Sequence, residues 1–296
     1  MISRGTILAA ILVAELAIVG TAIEAVRGNQ IGPTFSSPAF AQLTHGSHLI
    51  EDGPHQIFDV GPHPSLTVDI GYADLTIQSG NAKQIDVSVS PSPDYGLFRS
   101  KAPISAQEDG QTVRVGTAPE HGLTTGDNRM VTVVVPDGTK VTVLHAGDIR
   151  ASGLRAEASF TSRGNGFIKI EDFDGPVLHV TTMNGPIIMH AVAVERLEAS
   201  ARNDRIDGTA MRVHDGSIES GDRVTLGFAA GTNTIVNADT DDGKITATGF
   251  DAGASVAGAR KSEDDDSSSQ TVRLGAGNGS LDVHTSDGNI HLVQEN

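Results

Sequence analysis

From residue 145 onward one short unit recurs: a turn pair, a spacer and an aliphatic residue. It reads Asn165-Gly166-Phe167-Ile168, Asn184-Gly185-Pro186-Ile187 and Asn203-Asp204-Arg205-Ile206, and Gly147-Asp148-Ile149 repeats it without the spacer. Positions 147, 166, 185 and 204 are each 19 residues apart. Further copies are Asp215-Gly216-Ser217-Ile218, Asp242-Gly243-Lys244-Ile245, Asn278-Gly279-Ser280-Leu281 and Asp287-Gly288-Asn289-Ile290. The last two are nine residues apart, about half a period. Asn or Asp before Gly tolerates positive φ and turns the chain sharply. The aliphatic residue after the spacer then points inward and opens a strand. A repeat of this length reads as one coil of a solenoid, with aliphatic side chains stacking between coils. A meander of hairpins uses the same dipeptides, but three equal spacings in a row favour stacked coils.

Strand signals begin earlier. IFDV, LTVDI, DLTIQ, QIDVSVS, QTVRVG, MVTVVV and KVTVLH alternate with period two and are rich in Val, Ile and Thr. No amphipathic helix stands out after residue 27; AVAVERLEAS (191–200) alternates as readily as it winds. The fold class expected is all-β: a β-solenoid (parallel β-helix-like) of short strands over residues 57–296, preceded by one N-terminal hydrophobic helix. Residues 28–56 hold Gly32, Pro33, Pro38, Gly53 and Pro54 without a sustained period and read as a flexible tether. Three excursions, at 91–103, 121–129 and 259–270, read as exposed loops.

Residues 1–27 read as a signal anchor or a signal peptide. Segment 5–23 carries a single charge, Glu15, and as a helix would span ~28 Å, close to the hydrocarbon thickness. Glu15 would cost ~3 kcal/mol at the bilayer centre, which the surrounding Ile, Leu and Val can offset. Arg4 and the amino terminus precede the segment, while Glu24 and Arg27 cancel after it. The positive-inside bias therefore exports the remainder. Ala39-Phe40-Ala41 before Gln42 is a small-x-small cleavage signal, but it lies 18 residues beyond Ile23. A retained anchor is the favoured reading. The expected location is the bacterial cell envelope, with a periplasmic or extracellular domain, or secretion if the segment is cleaved.

Composition excludes several classes. With no Cys, disulfide scaffolds, thiolate metal sites and Cys nucleophiles are absent. A formal net charge of −16 repels phosphate backbones, so no nucleic-acid partner is expected.

Candidate chemistry is sparse. His45, His48, His55 and His63 fall within 19 residues, yet the first three lie in the expected tether and His63 just beyond it, where fixed metal geometry is hard to hold. His179, His190, His284 and His291 alternate with aliphatic residues and should face solvent. Asn237, Asp239 and Asp241 are spaced like a calcium loop, but Asp242 replaces the Gly and Thr248 the Glu of an EF-hand. Solvated acidic loops are the expectation there and at 263–266. No Gly-x-Ser-x-Gly elbow or phosphate loop is present. Asp172, Asp174, His179, Arg202, Asp204 and Arg205 could cluster across coils as a polysaccharide-cleaving site. No catalytic residue, cofactor or metal site is assigned.

LTVDIGYADLTIQSG (66–80), QIDVSVS (84–90), MVTVVVPDGTKVTVLHAGDIRASGL (130–154) and GNGSLDVHTSDGNIHL (277–292) follow in an order that resembles the bacterial putative-adhesin family of unknown function, related to the head domain of putative autotransporter adhesins. The resemblance covers roughly residues 57–296. It implies an envelope-associated β-solenoid, often behind a membrane anchor, and brings no catalytic residues. The function expected is a non-catalytic binding or scaffolding module displayed outside the cytoplasmic membrane. Its partner would be an envelope protein or a glycan, and residues 5–23 would contact the membrane. The alternatives are a secreted β-helix carbohydrate-active enzyme and a sensory ectodomain working through a membrane partner. A structural component assembled end to end would need an exposed terminal edge, for which the closing HLVQEN strand is the candidate.

Overall fold

The computed structural model describes residues 48–50, 55–71, 73–80, 83–91, 104–117, 129–162, 164–250, 256–261 and 267–295. The described residues belong to one compact unit, 46–119 with 124–296; the other unit, 1–45 with 120–123, lies outside them. The expected N-terminal helix over 5–23 therefore also lies outside the described residues, and among those described no helix is long and apolar enough to cross a membrane. Every regular element among them is a strand, and all of the strands join one hydrogen-bonded sheet.

The 19-residue repeat is one coil. Three strands of 15 residues, Ile168–Thr182, Ile187–Ala201 and Ile206–Ser220, lie parallel with Ile168, Ile187 and Ile206 in register. Ile149 of strand Ile149–Ser152 precedes them in the same row. Each long strand runs through a corner, so its halves belong to two ladders, a first face and a second face. The corner residues Asp172, Ala191 and Ala210 have φ of 53°, 52° and 52°, and Gly153 takes the same place one coil earlier at 70°. Left-handed backbone is costly for a residue with a Cβ, so three successive non-glycine corners show how firmly the stacked ladders hold the coil.

Period-two alternation does the packing. The aliphatic residues after the turn pairs, Ile149, Ile168, Ile187, Ile206, Ile218, Leu281 and Ile290, are all fully buried, and Ile245 is partly so. Burying such a side chain stabilises by roughly 1.5–3 kcal/mol. The next coil supplies the ladder partner, so no coil buries its face alone.

Turns from the second face to the first stack down one side. Ile149, Ile168, Ile187, Ile206, Val224 and Ile290 each donate a backbone N–H to the carbonyl of Phe167, Pro186, Arg205, Arg223, Asn289 and Lys244 respectively, in the neighbouring turn. A column of inward hydroxyls seals these turns. Thr182 Oγ1 accepts from Gly185 N at 3.2 Å, Ser220 Oγ donates to Asp204 O at 2.7 Å, and Thr285 Oγ1 donates to Asp222 O at 2.6 Å.

Chain order and stacking order part company at both ends. Strands Gly279–Thr285 and Ile290–Gln294 insert between the Ile206–Ser220 and Val224–Phe228 strands on one side and Thr234–Thr240 and Ile245–Thr248 on the other. At the opposite end, strands Ser65–Asp69 and Asp74–Gly80 sit between Thr112–Thr117 and Arg129–Pro136 on one side and Lys140–His145 and Ile149–Ser152 on the other. The even 19-residue spacing does not continue past 204 to the Asp242-Gly243 pair, because after Val224–Phe228 the coil next in space is no longer the next in sequence.

Three expectations are corrected. The HLVQEN strand is internal, flanked by Val224–Phe228 and Ile245–Thr248, because the C-terminal coil inserts rather than terminates the stack. Stretch 259–270 is strand at both described ends: Val256–Lys261 pairs antiparallel with Ser268–Arg273, which pairs with Thr234–Thr240, while 262–266, with the expected acidic loop at 263–266, lies outside the described residues. The sheet also begins before residue 57, since His48–Ile50 pairs with Ile104–Ala106 and Gln56–Asp59 pairs with Gln84–Val87. The expected loops at 91–103 and 121–129 fall almost wholly outside the described residues.

Candidate functional site

The glycines of the turn pairs are set by contact rather than by φ. A Cβ on Gly166 would meet Gly147 O at 2.4 Å, one on Gly185 would meet Gly166 O at 2.0 Å, and one on Gly243 would meet Gly288 O at 2.2 Å. Gly288 stacks on Asp222 in the same way. None of these four has positive φ. The expected left-handed pairs are therefore corrected: coil stacking brings backbone onto backbone and leaves no room for a side chain. Gly279 belongs to the opposite side of the coil, against His214 O, which is why it precedes Gly288 by half a period. The flanking polar residues hold the turns on both sides of the coil. Asn203 Nδ2 donates to Asn184 Oδ1 at 2.7 Å, Asn278 N donates to Asn233 Oδ1 at 3.3 Å, and Asp242 N donates to Ser286 O at 3.0 Å. Asn165 and Asp287 sit in turns of this kind.

These turns fix the register of the second face, whose outward side chains form polar rows. One row runs Thr161, Thr181, Ser200, Glu219, His284, Asp239 and Ser269 across seven strands. At about 4.8 Å per strand it is roughly 29 Å long. A parallel row runs Ser159, His179, Glu198, Ser217, Asp282, Asn237 and Thr271. It is cross-linked by His179 Nδ1 to Glu198 at 2.9 Å, by Asn237 Nδ2 to Asp282 at 2.9 Å and by Thr271 Oγ1 to Asn237 at 3.3 Å.

Two shallow depressions lie along this face. One of ≈ 510 Å³ is lined by Thr161, Thr181, Met183, Ser200 and Arg202; the other, of ≈ 340 Å³, by Asn237, Asp239, Ser269 and Asp282. They meet at Glu219 and His284, which line both. Together they form a polar groove crossing successive coils. Met183, 43% exposed, is its apolar spot.

Asp239, Asp241 and His284 place one donor atom each within 4.8 Å of the others and could hold a metal ion. His284 Nδ1 is 3.4 Å from Asp239 Oδ2, and its Nε2 is 3.7 Å from Asp241 Oδ2. The acids were visible in the calcium-like spacing, but His284 was not, because only the inserted coil brings it beside Asp239. Asp215, where the chain holds that inserted coil, has its carboxyl below the usual range: Ser280 N–H donates to it at 2.8 Å, and His214 Nδ1 adds a 2.9 Å contact.

The other candidates separate. Asp172 pairs with Arg155 at 2.9 Å on a corner, His179 with Glu198 on the second face, and Arg205 with Asp207 at 2.8 Å on a turn. Of Asp172, Asp174, His179, Arg202, Asp204 and Arg205, only Arg202 lines the groove. His55 bonds both Asp86 oxygens at 3.0 Å, His63 is exposed, and His45 and the side chain of His48 lie outside the described residues. His190 and His291 face outward as expected, bonded to Thr209 and Thr246.

A family model described as Toastrack DUF4097 matches residues 63–294. Solved structures with likeness to this chain include a "putative cell adhesion protein" from Clostridium sporogenes (13% identity, TM-score 0.31, covering 82% of this chain and 99% of that one). A "putative adhesin" from Bacteroides fragilis is 8% identical at TM-score 0.37, covering 82% of this chain and 96% of its own. Another "putative adhesin", from Parabacteroides merdae, is 11% identical at TM-score 0.37, covering 84% and 100%. No curated protein matches the chain.

Proposed function

This chain belongs to the Toastrack DUF4097 family, and from that premise we propose that it is a non-catalytic binding or scaffolding module carried outside the cytoplasmic membrane. The observation that carries the reading is the polar groove on the second face. Its side chains come from strands locked in register by the stacked turns, so the face is preorganised and ordering it costs a ligand little. Stacked coils with polar outward rows suit an extended partner lying across several of them.

An enzyme needs acid, base and substrate cleft in one place. Of the six candidate groups, Asp172, His179, Asp204 and Arg205 serve ion pairs on a corner, a face and a turn, and Arg202 alone reaches the groove, which supports the non-catalytic reading. Display outside the membrane rests on segment 5–23 and the charges around it.

Photo-crosslinking in intact cells tests the binding face. A probe at Ser200 should trap an envelope protein or glycan that a probe at Thr225, on the first face, does not. Equal capture from both positions would remove the groove from the argument. Membrane fractionation with intact-mass measurement tests the tether. Retention of residues 1–27 in the membrane fraction is expected, and a mature species starting at Gln42 in the soluble fraction would overturn it.

A further inference from the structure

We propose that Asp239, Asp241 and His284 form a binding site for one divalent transition-metal ion, at the junction of the two depressions. Asp239 and His284 come from two strands adjacent only because the C-terminal coil inserts into the stack, and Asp241 from the bend that follows the first of them. Asp239 lies directly opposite His284 in the parallel ladder. Asp241 follows Asp239 by two and is pinned over the same strand, with its own N–H bonded to Thr285 O at 3.1 Å. Thr240 Oγ1, donating to Gly288 O at 3.0 Å, fixes the turn from beneath.

What separates this cluster from an ordinary surface pair is the way the imidazole is held. His55, His179 and His214 each meet a single carboxylate at hydrogen-bonding distance, 3.0, 2.9 and 2.9 Å respectively. His284, alone among the described histidines in this respect, faces two carboxylates, at 3.4 and 3.7 Å. The two carboxylates face different ring nitrogens, Nδ1 toward Asp239 and Nε2 toward Asp241; one ion takes one of them, and the Nδ1–Asp239 edge is the one that fits. An edge of 3.4 Å is what two ligands about 2.1 Å from a tetrahedral ion subtend. Bringing the third donor in from within 4.8 Å takes a side-chain rotation, which exposed Asp241 is free to make.

The donor set selects the class of ion. Two carboxylates alone would suit calcium or magnesium, which take oxygen ligands. The imidazole nitrogen moves the preference to zinc and its neighbours. Three protein ligands leave coordination positions open, and His284 lines both depressions, so those positions face the groove. Two negative carboxylates and one neutral imidazole leave the metal-bound site electrically balanced.

The test uses the full chain, stripped of metal by a chelator and titrated with zinc by calorimetry near neutral pH. One site per chain is expected, with affinity falling about tenfold or more in Asp239→Asn and in His284→Gln. Asp241→Asn should weaken it in the same direction. His179→Gln and His214→Gln, which break one-carboxylate pairs elsewhere, should leave it unchanged. Equal losses from those control variants, or no difference between the wild type and His284→Gln, would reduce the binding to adventitious capture by surface histidines. Calcium binding as tight as zinc, and insensitive to His284→Gln, would overturn the assignment of the ion. Because the crosslinking test of the groove needs no metal, the two readings can fail separately.

Discussion

The Glu295 carboxylate accepts the backbone N–H of Ala210, 85 residues earlier, at 3.0 Å. Ala210 is the left-handed corner of the last long strand, and Glu295 follows the inserted C-terminal strand. The bond therefore joins the end of the chain to the coil it inserts beside. Glu295 N also donates to Phe228 O at 2.9 Å, and a Cβ on Gly227 would meet Glu295 Oε1 at 2.0 Å, so the carboxylate occupies the space that Gly227 leaves free. Glu295→Ala orphans the half-buried Ala210 amide, for a loss of about 1–2 kcal/mol. Urea unfolding would measure it, and faster hydrogen exchange at Ala210 would place it. An unchanged exchange rate at that amide would refute the capping role.

Backbone contact at the turn glycines predicts a sharp contrast between neighbours. A methyl group at Gly185 would lie 2.0 Å from Gly166 O, whereas one at Gly164 meets nothing closer than Gly166 N at 4.0 Å. Gly185→Ala must push two coils apart and should cost more than about 2 kcal/mol, like other overpacked sites. Gly164→Ala should stay within roughly 0.5 kcal/mol of the wild type, as surface changes do. Thermal melts of the two variants decide this, and similar melting temperatures would contradict the stacking.

Much of the architecture was legible because the turn pairs mark coils directly. The spacing of 147, 166, 185 and 204 is the ladder offset that puts Ile149, Ile168, Ile187 and Ile206 in one buried row. The half-period between Gly279 and Gly288 corresponds to the two sides of one coil. What local pattern could not carry was the order of the coils. Leu281 pairs with Gly216 and Val236, a long-range choice that no dipeptide encodes, and His284 reached Asp239 and Asp241 only through it. The inward hydroxyls do have a local signature: Thr182, Thr240 and Thr285 each stand three residues before the turn glycines 185, 243 and 288.

The left-handed corners make a second contrast. Ala191 and Ala210 hold φ near 52°, at a cost of about 1–2 kcal/mol for a residue with a Cβ. Glycine relieves that strain but loses about 0.5–1 kcal/mol of chain entropy. Ala191→Gly should therefore stabilise by about 0.5–1 kcal/mol. Asp172→Gly should gain less or nothing, because Asp172 Oδ2 accepts from Arg155 Nη2 at 2.9 Å while Arg155 Nη1 binds its carbonyl at 2.8 Å. Chemical unfolding of both variants checks the ranking, and destabilisation by Ala191→Gly would count against strain at the corner.

Acid should loosen the inserted coil through Asp215. Its carboxylate accepts the Ser280 N–H at 2.8 Å and faces His214, and the backbone bond is the larger reason its pKa lies below the usual range. A carboxyl whose pKa is lower folded than unfolded contributes stability that is complete above its unfolded value. That contribution fades as pH falls below about 4, where the unfolded carboxyl binds its proton first, and is gone once pH drops through the folded value. Asp215→Asn removes the titrating group. The stability difference between wild type and Asp215→Asn should therefore be constant from pH 7 to pH 5 and shrink below pH 4. Parallel curves down to pH 2 would show that the Asp215–Ser280 bond does not couple protonation to the docking of the C-terminal coil.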